Sequence, residues 1–113
     1  MNLLITGHHL ELTPALRQYV EEKVQRVTRH FDQIIEMEVI LALESTADKD
    51  RRQRAEINLR VPGDTLHAEC YSQEMYAAID MVVEKLDRQV SKFKGKLKDH
   101  QNVATKHIAQ PES

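Results

Sequence analysis

Lys85, Arg88, Lys92 and Lys96 recur at steps of three and four residues, the spacing that puts side chains on one face of a helix. With Lys85 at 0°, the others fall near roughly 300°, 340° and 20° at 3.6 residues per turn. They make a cationic stripe about 16 Å long. Such arrays neutralise successive phosphates of a nucleic acid and release its counterions. Lys23, Arg26 and His30 repeat the spacing upstream. If both helices lie side by side on a sheet, the two stripes border one groove. A plainer reading covers part of the pattern. Cations in the last turn of a helix offset its macrodipole, at about 0.3–1 kcal/mol each. That accounts for Lys94, Lys96 and Lys98, but not for Lys85 and Arg88, which sit two or more turns further in. On composition alone, both readings stay open.

Other chemistry has less support. His8-His9 is an adjacent pair, which rarely presents two imidazoles to one ion, so a polar loop after Gly7 is the expectation rather than a metal site. Cys70 is the single cysteine and falls on the inward side of an alternating segment, where a structural thiol fits better than a nucleophile. Three glycines, at 7, 63 and 95, cannot build a phosphate-cradling loop. The carboxylates are spread along exposed faces, with no pair singled out by spacing. Tyr71 and Tyr76 could stack on bases, although Tyr76 fits a core-capping role as well. Neither an enzyme site nor a cofactor is called for.

The elements that position the stripe follow from hydropathy. The 113 residues suit one domain, and 41% hydrophobic with 30% charged residues excludes collagen-like, low-complexity and wholly disordered classes. No apolar run approaches the ~18 residues of a membrane helix. The first residues lack a basic leader and a long apolar stretch, so the cytoplasm is the expected compartment. The formal charge of −2 hides an uneven distribution. Residues 1–84 hold nine Lys/Arg against fifteen Asp/Glu, whereas 85–98 hold six Lys/Arg against Asp87 alone. An acidic body with one basic block is dipolar, and the block can seek phosphate while the rest repels it.

Residues 2–6 read as a short strand stopped by Gly7. Thr13-Pro14 opens a helix whose apolar residues Leu16, Tyr19, Val20, Val24, Val27 and Phe31 step by three and four, with an end near Phe31-Asp32. The period then changes to two. Residues 35–44, 54–61 and 66–71 alternate as strands, with a charged loop around Asp48-Lys49-Asp50-Arg51-Arg52 and a turn at Pro62-Gly63-Asp64. From about Gln73 the helical period returns and runs to Lys98, with Ile79, Val82, Val83, Leu86, Val90, Phe93 and Leu97 inside about 100° of arc. The order β-α-β-β-β-α predicts an α+β two-layer sandwich. A four-stranded sheet carries both helices on one face, its first two strands parallel neighbours and the rest a meander. Residues 1–98 make the domain; 99–113, which lack any apolar period, are expected to be a flexible tail.

Several separated motifs then resemble one family. Thr6-Gly7-x-x-Leu10-Glu11-Leu12-Thr13-x-Ala15-Leu16-Arg17, His30-Phe31-Asp32, Gln73-Glu74-Met75-Tyr76-Ala77-Ala78-Ile79-Asp80 and Lys85-Leu86-x-Arg88-Gln89-Val90-x-Lys92 are similar, in order, to ribosome hibernation promoting factors. The likeness covers residues 1–98. It implies a fold akin to double-stranded-RNA-binding domains and binding in the decoding channel of the small ribosomal subunit, where messenger and transfer RNA would sit. It implies ribosomal RNA contacts from Arg17 and Lys23 on the first helix and Lys85, Arg88 and Lys92 on the second, with Lys94, Lys96 and Lys98 matching the family's variable basic end less strictly; the helical spacing adds Arg26 to these candidates. The chain stops before the dimerising domain of long forms, so it resembles the short form. A monomer when free is the expectation. Short forms of some bacteria act with a separate small modulation factor. The rival reading is a protein-binding regulator of an alternative sigma factor, after an older description of the family.

Overall fold

The computed structural model describes the backbone of residues 2–106 and the side chains of residues 2–95. Thr13 opens helix α1 (Pro14–Thr28) as expected: its Oγ1 accepts a hydrogen bond from Leu16 N at 3.1 Å, and Pro14 takes the first turn. The helix buries Leu16, Val20, Val24 and Val27. It stops short of the predicted Phe31-Asp32. His30 N turns back to Val27 O, which tightens the chain out of the helix. Phe31 still reaches the core and meets Phe93 edge-on, ring centroids 5.9 Å apart.

Strand β1 (Asn2–His8) continues through Gly7, which pairs with Leu41 instead of ending the strand. The glycine is required by space. A Cβ there would lie 2.5 Å from Leu10 O, where the chain folds back under the strand. His9 makes that reversal in the left-handed region, at φ 57°.

The sheet has the predicted topology. β2 (Glu36–Leu43), β3 (Gln53–Val61) and β4 (Asp64–Ser72) follow β1 in the order β1-β2-β3-β4. β1 is parallel to β2, and the other pairs are antiparallel. Alternation sends Met37, Val39 and Leu41 inward with Ala55, Ile57 and Leu59. Helix α2 (Met75–Lys106) lays Ile79, Val82, Leu86 and Val90 over that layer, packing against β3, β4 and α1. Among the described residues the core holds no buried polar or charged side chain.

α2 exceeds its predicted end at Lys98. Residues 99–106, expected in the tail, continue the helical backbone, since neither Gly nor Pro occurs between Gly95 and Pro111 to stop it. The rest of that tail, 107–113, lies outside the described residues. No helix among the described residues is long and apolar enough to cross a membrane.

Candidate nucleic-acid interface

Burial of Ile79, Val82, Leu86 and Val90 fixes the roll of α2, and the stripe positions follow from it. Arg88 lies opposite the buried side, 70% exposed, with Nη1 3.9 Å from Glu84 Oε2 one turn earlier. Lys92 is exposed one turn further on and has no ion-pair partner among the described residues. Lys85 leans the other way: its Nζ donates to Glu69 O on β4 at 3.3 Å. Gln89, one turn later, donates to His67 O at 2.8 Å. β4 is an edge strand, so these two side chains cover backbone acceptors that would otherwise invite another strand. The Lys96 side chain lies outside the described residues.

Among the described residues the two basic stripes do not line one groove, which corrects the expectation from spacing. The flank of α2 that faces α1 presents Asp80 and Asp87, two turns apart. The groove between the helices is lined by Glu22, Lys23, Arg26, Arg29, Asp80 and Glu84, with Val83 at its floor. Lys23 Nζ lies 3.4 Å from Asp80 Oδ1, and Arg26 Nε donates to Asp87 Oδ2 at 3.1 Å. His30 Nε2 meets Asp87 Oδ1 at 2.5 Å. Arg17 is exposed on the first turns of α1. Lys23 and Arg26 of α1, with His30 just beyond it, are therefore held by carboxylates of α2, while Arg88 and Lys92 stand outside that clamp. Sequence reasoning missed the clamp because its partners are 57 or more residues apart. The one signal was Asp87, lone acid of the basic block.

The tyrosines take different places. Tyr19 OH donates to Asp80 Oδ1 at 2.7 Å, which pushes its phenol up to about 12. Its ring meets exposed Tyr76 edge-on, centroids 4.8 Å apart. Tyr71 lies on the opposite face of the sheet. Its hydroxyl donates to Glu69 at 2.7 Å, holding that carboxyl below its ordinary value and raising the phenol's own.

That outward sheet face is acidic. Glu36 and Glu38 of β2, Glu56 of β3 and Glu69 of β4 point away from the helices, with Glu44 just beyond β2. Arg54 bridges Glu44 and Glu56, and His67 lies between Glu56 and Glu69. The charged loop is an ordered 3₁₀ turn (Lys49–Arg51), capped by Asp48 and tied down by Gln73 Nε2 donating to Asp50. Arg51 sits over the Tyr71 ring at 4.3 Å. Cys70 is half-buried beside the core. Burial pushes its thiol up, against the pull of Lys85 and Arg88, as suits a structural residue. Among the described residues no three His, Cys, Asp or Glu side chains converge on a metal-sized site.

Comparison with known proteins adds a family to this geometry. Residues 3–98 match the model described as "Sigma 54 modulation protein / S30EA ribosomal protein". A relative named ribosome hibernation promoting factor, from Klebsiella oxytoca, is 43% identical over 100 residues, 88% of this chain and all of that one. Another of that name, from Azotobacter vinelandii, is 45% identical over 96 residues, 85% of each chain. Among solved structures, a ribosomal subunit interface protein from Coxiella burnetii superposes with a TM-score of 0.74 at 30% identity, covering 84% of this chain and 99% of that one. The N-terminal domain of Thermus thermophilus Protein Y gives 0.71 at 37% identity, covering 82% and 99%.

Proposed function

Because the chain belongs to the sigma 54 modulation protein / S30EA ribosomal protein family, we propose that it is a ribosome hibernation factor that fills the decoding channel of the small subunit. The observation that carries this reading is the placement of charge. Arg88 and Lys92 project from the helix layer opposite the core, and the carboxylates of the outward sheet face lie on the other side of the molecule. A phosphate surface attracts the first and repels the second, so the charge layout orients the protein as it docks. Folded RNA is read chiefly through its backbone and 2′-hydroxyls, which suits a stripe of cations without a base-reading loop. Arg17, Lys23 and Arg26 extend the contact along α1, and Lys85 and Lys96 extend it along α2.

Inhibition then needs no chemical step. A body in the channel excludes messenger and transfer RNA, so the protein works by occupancy and not as an enzyme. Residues 1–98 carry this activity, as a monomer in the cytoplasm.

Sedimentation with purified small subunits at two salt concentrations tests the proposal. With about six phosphates neutralised, affinity should fall roughly a thousandfold between 50 and 200 mM salt. Binding that ignores salt would contradict an RNA-held plug and favour a protein-binding regulator of a sigma factor.

A further inference from the structure

Asp87 is the one acid among residues 85–98, and it lies where a phosphate-binding surface gains nothing from a negative charge. Its side chain is only 18% exposed. One carboxylate serves α1 and the turn that follows it: Oδ2 accepts from Arg26 Nε, and Oδ1 engages His30 Nε2. Lys94 of α2 adds a third tie, its Nζ donating to His30 O at 2.6 Å. Arg26 nevertheless stays 58% exposed. Because only Nε is engaged, both terminal amino groups of its guanidinium remain for another acceptor. That is the fork that meets a phosphate in bidentate fashion.

We infer that Asp87 is a positioning residue for RNA binding: it fixes Arg26 of α1 in register with Arg88 and Lys92 of α2. This rests on the proposed RNA-binding role of the stripe. An unheld arginine carries large rotamer entropy, much of it lost when the side chain is immobilised on a ligand. Held by Asp87, Arg26 has already lost part of that freedom in the folded protein, so less is lost on docking. Asp80 has the same relation to Lys23, two turns towards the start of α2.

Simple charge counting gives the opposite sign, and that makes the inference testable. Removing a carboxylate near phosphates should tighten binding if Asp87 only repels RNA. If it positions Arg26, removal should weaken binding despite the gain in net positive charge.

The experiment measures affinity of the full chain for small subunits across a salt series. Asp87→Asn is expected to weaken binding roughly three- to tenfold and to flatten the salt slope by about 0.7–0.9, the share of one neutralised phosphate. Asp87→Glu should stay within about twofold of the parent. In an Arg26→Ala background, Asp87→Asn should add little, since the group it positions is gone. Arg26→Lys guards against a destabilised Asn variant: charge is kept and the fork removed, so positioning requires weaker binding and charge counting none. Tighter or unchanged binding by folded Asp87→Asn, or full affinity of Arg26→Lys, overturns the positioning role. If the triple variant Lys85→Ala/Arg88→Ala/Lys92→Ala also binds like the parent, the RNA-binding reading itself fails.

Discussion

Replacing Lys85, Arg88 and Lys92 together with Ala is expected to weaken binding to small subunits about a hundredfold. Each cation is taken to neutralise one phosphate with a net contribution of about 1 kcal/mol. Three of them give about 3 kcal/mol, or roughly two decades in Kd. The salt slope should flatten by about 0.7–0.9 for each phosphate left without its cation, so the deficit shrinks as salt rises. The fold should persist, because exposed substitutions of this kind usually change stability by no more than about 0.5 kcal/mol. Lys85 is the exception to watch, since its Nζ also covers Glu69 O on the edge of β4. A folded triple variant with parental affinity would rule out the stripe as the RNA-binding surface.

The second large effect concerns the layer that holds the stripe in place. Leu86 is fully buried between Lys85 and Asp87, so one residue of α2 anchors the helix that presents both charges. Leu86→Ala should cost about 3 kcal/mol through reduced burial and the cavity left behind. Against a total of roughly 5–15 kcal/mol, that is a large share. The melting temperature should fall by roughly 12–20 °C for a domain of this size. Thermal unfolding followed by circular dichroism checks this. A shift of only a degree or two would mean that α2 is not held by the sheet as described.

Much of this architecture is legible in the residues because local rules and burial agree. Thr13-Pro14 states a helix start, and the unbroken alternation of Arg54 to Val61 states a strand with one wet face. The apolar arc of α2 fixes its roll, so the outward position of Arg88 follows from periodicity. Gly7 shows where a local rule misleads: a glycine suggested a stop, whereas the strand needs it so that Leu10 O can approach. The end of α1 also escaped, because Phe31 keeps the helical spacing yet reaches the core from the turn beyond.

The site was legible in part. Spacing alone identifies which cations share a helix face. It does not show that Asp80 and Asp87 occupy the flank of α2 facing α1, because that depends on how two helices lie on a sheet. The clamp on Lys23, Arg26 and His30 is a tertiary fact. The charged loop is another case. The sequence shows only a run of charges there, whereas in the fold Asp48 and Asp50 cap and anchor a turn whose Arg51 packs on Tyr71 of β4.

The most direct test of the central claim, inhibition by occupancy, is a translation titration followed by a high-salt wash. If the protein fills the decoding channel, inhibition should saturate near one copy per small subunit. Messenger RNA with initiator transfer RNA should relieve it, since ligands that exclude each other must each weaken the other's binding. A high-salt wash should strip a phosphate-held plug and restore activity. Inhibition far below one copy per ribosome, or inhibition that survives the wash, would contradict occupancy as the mechanism.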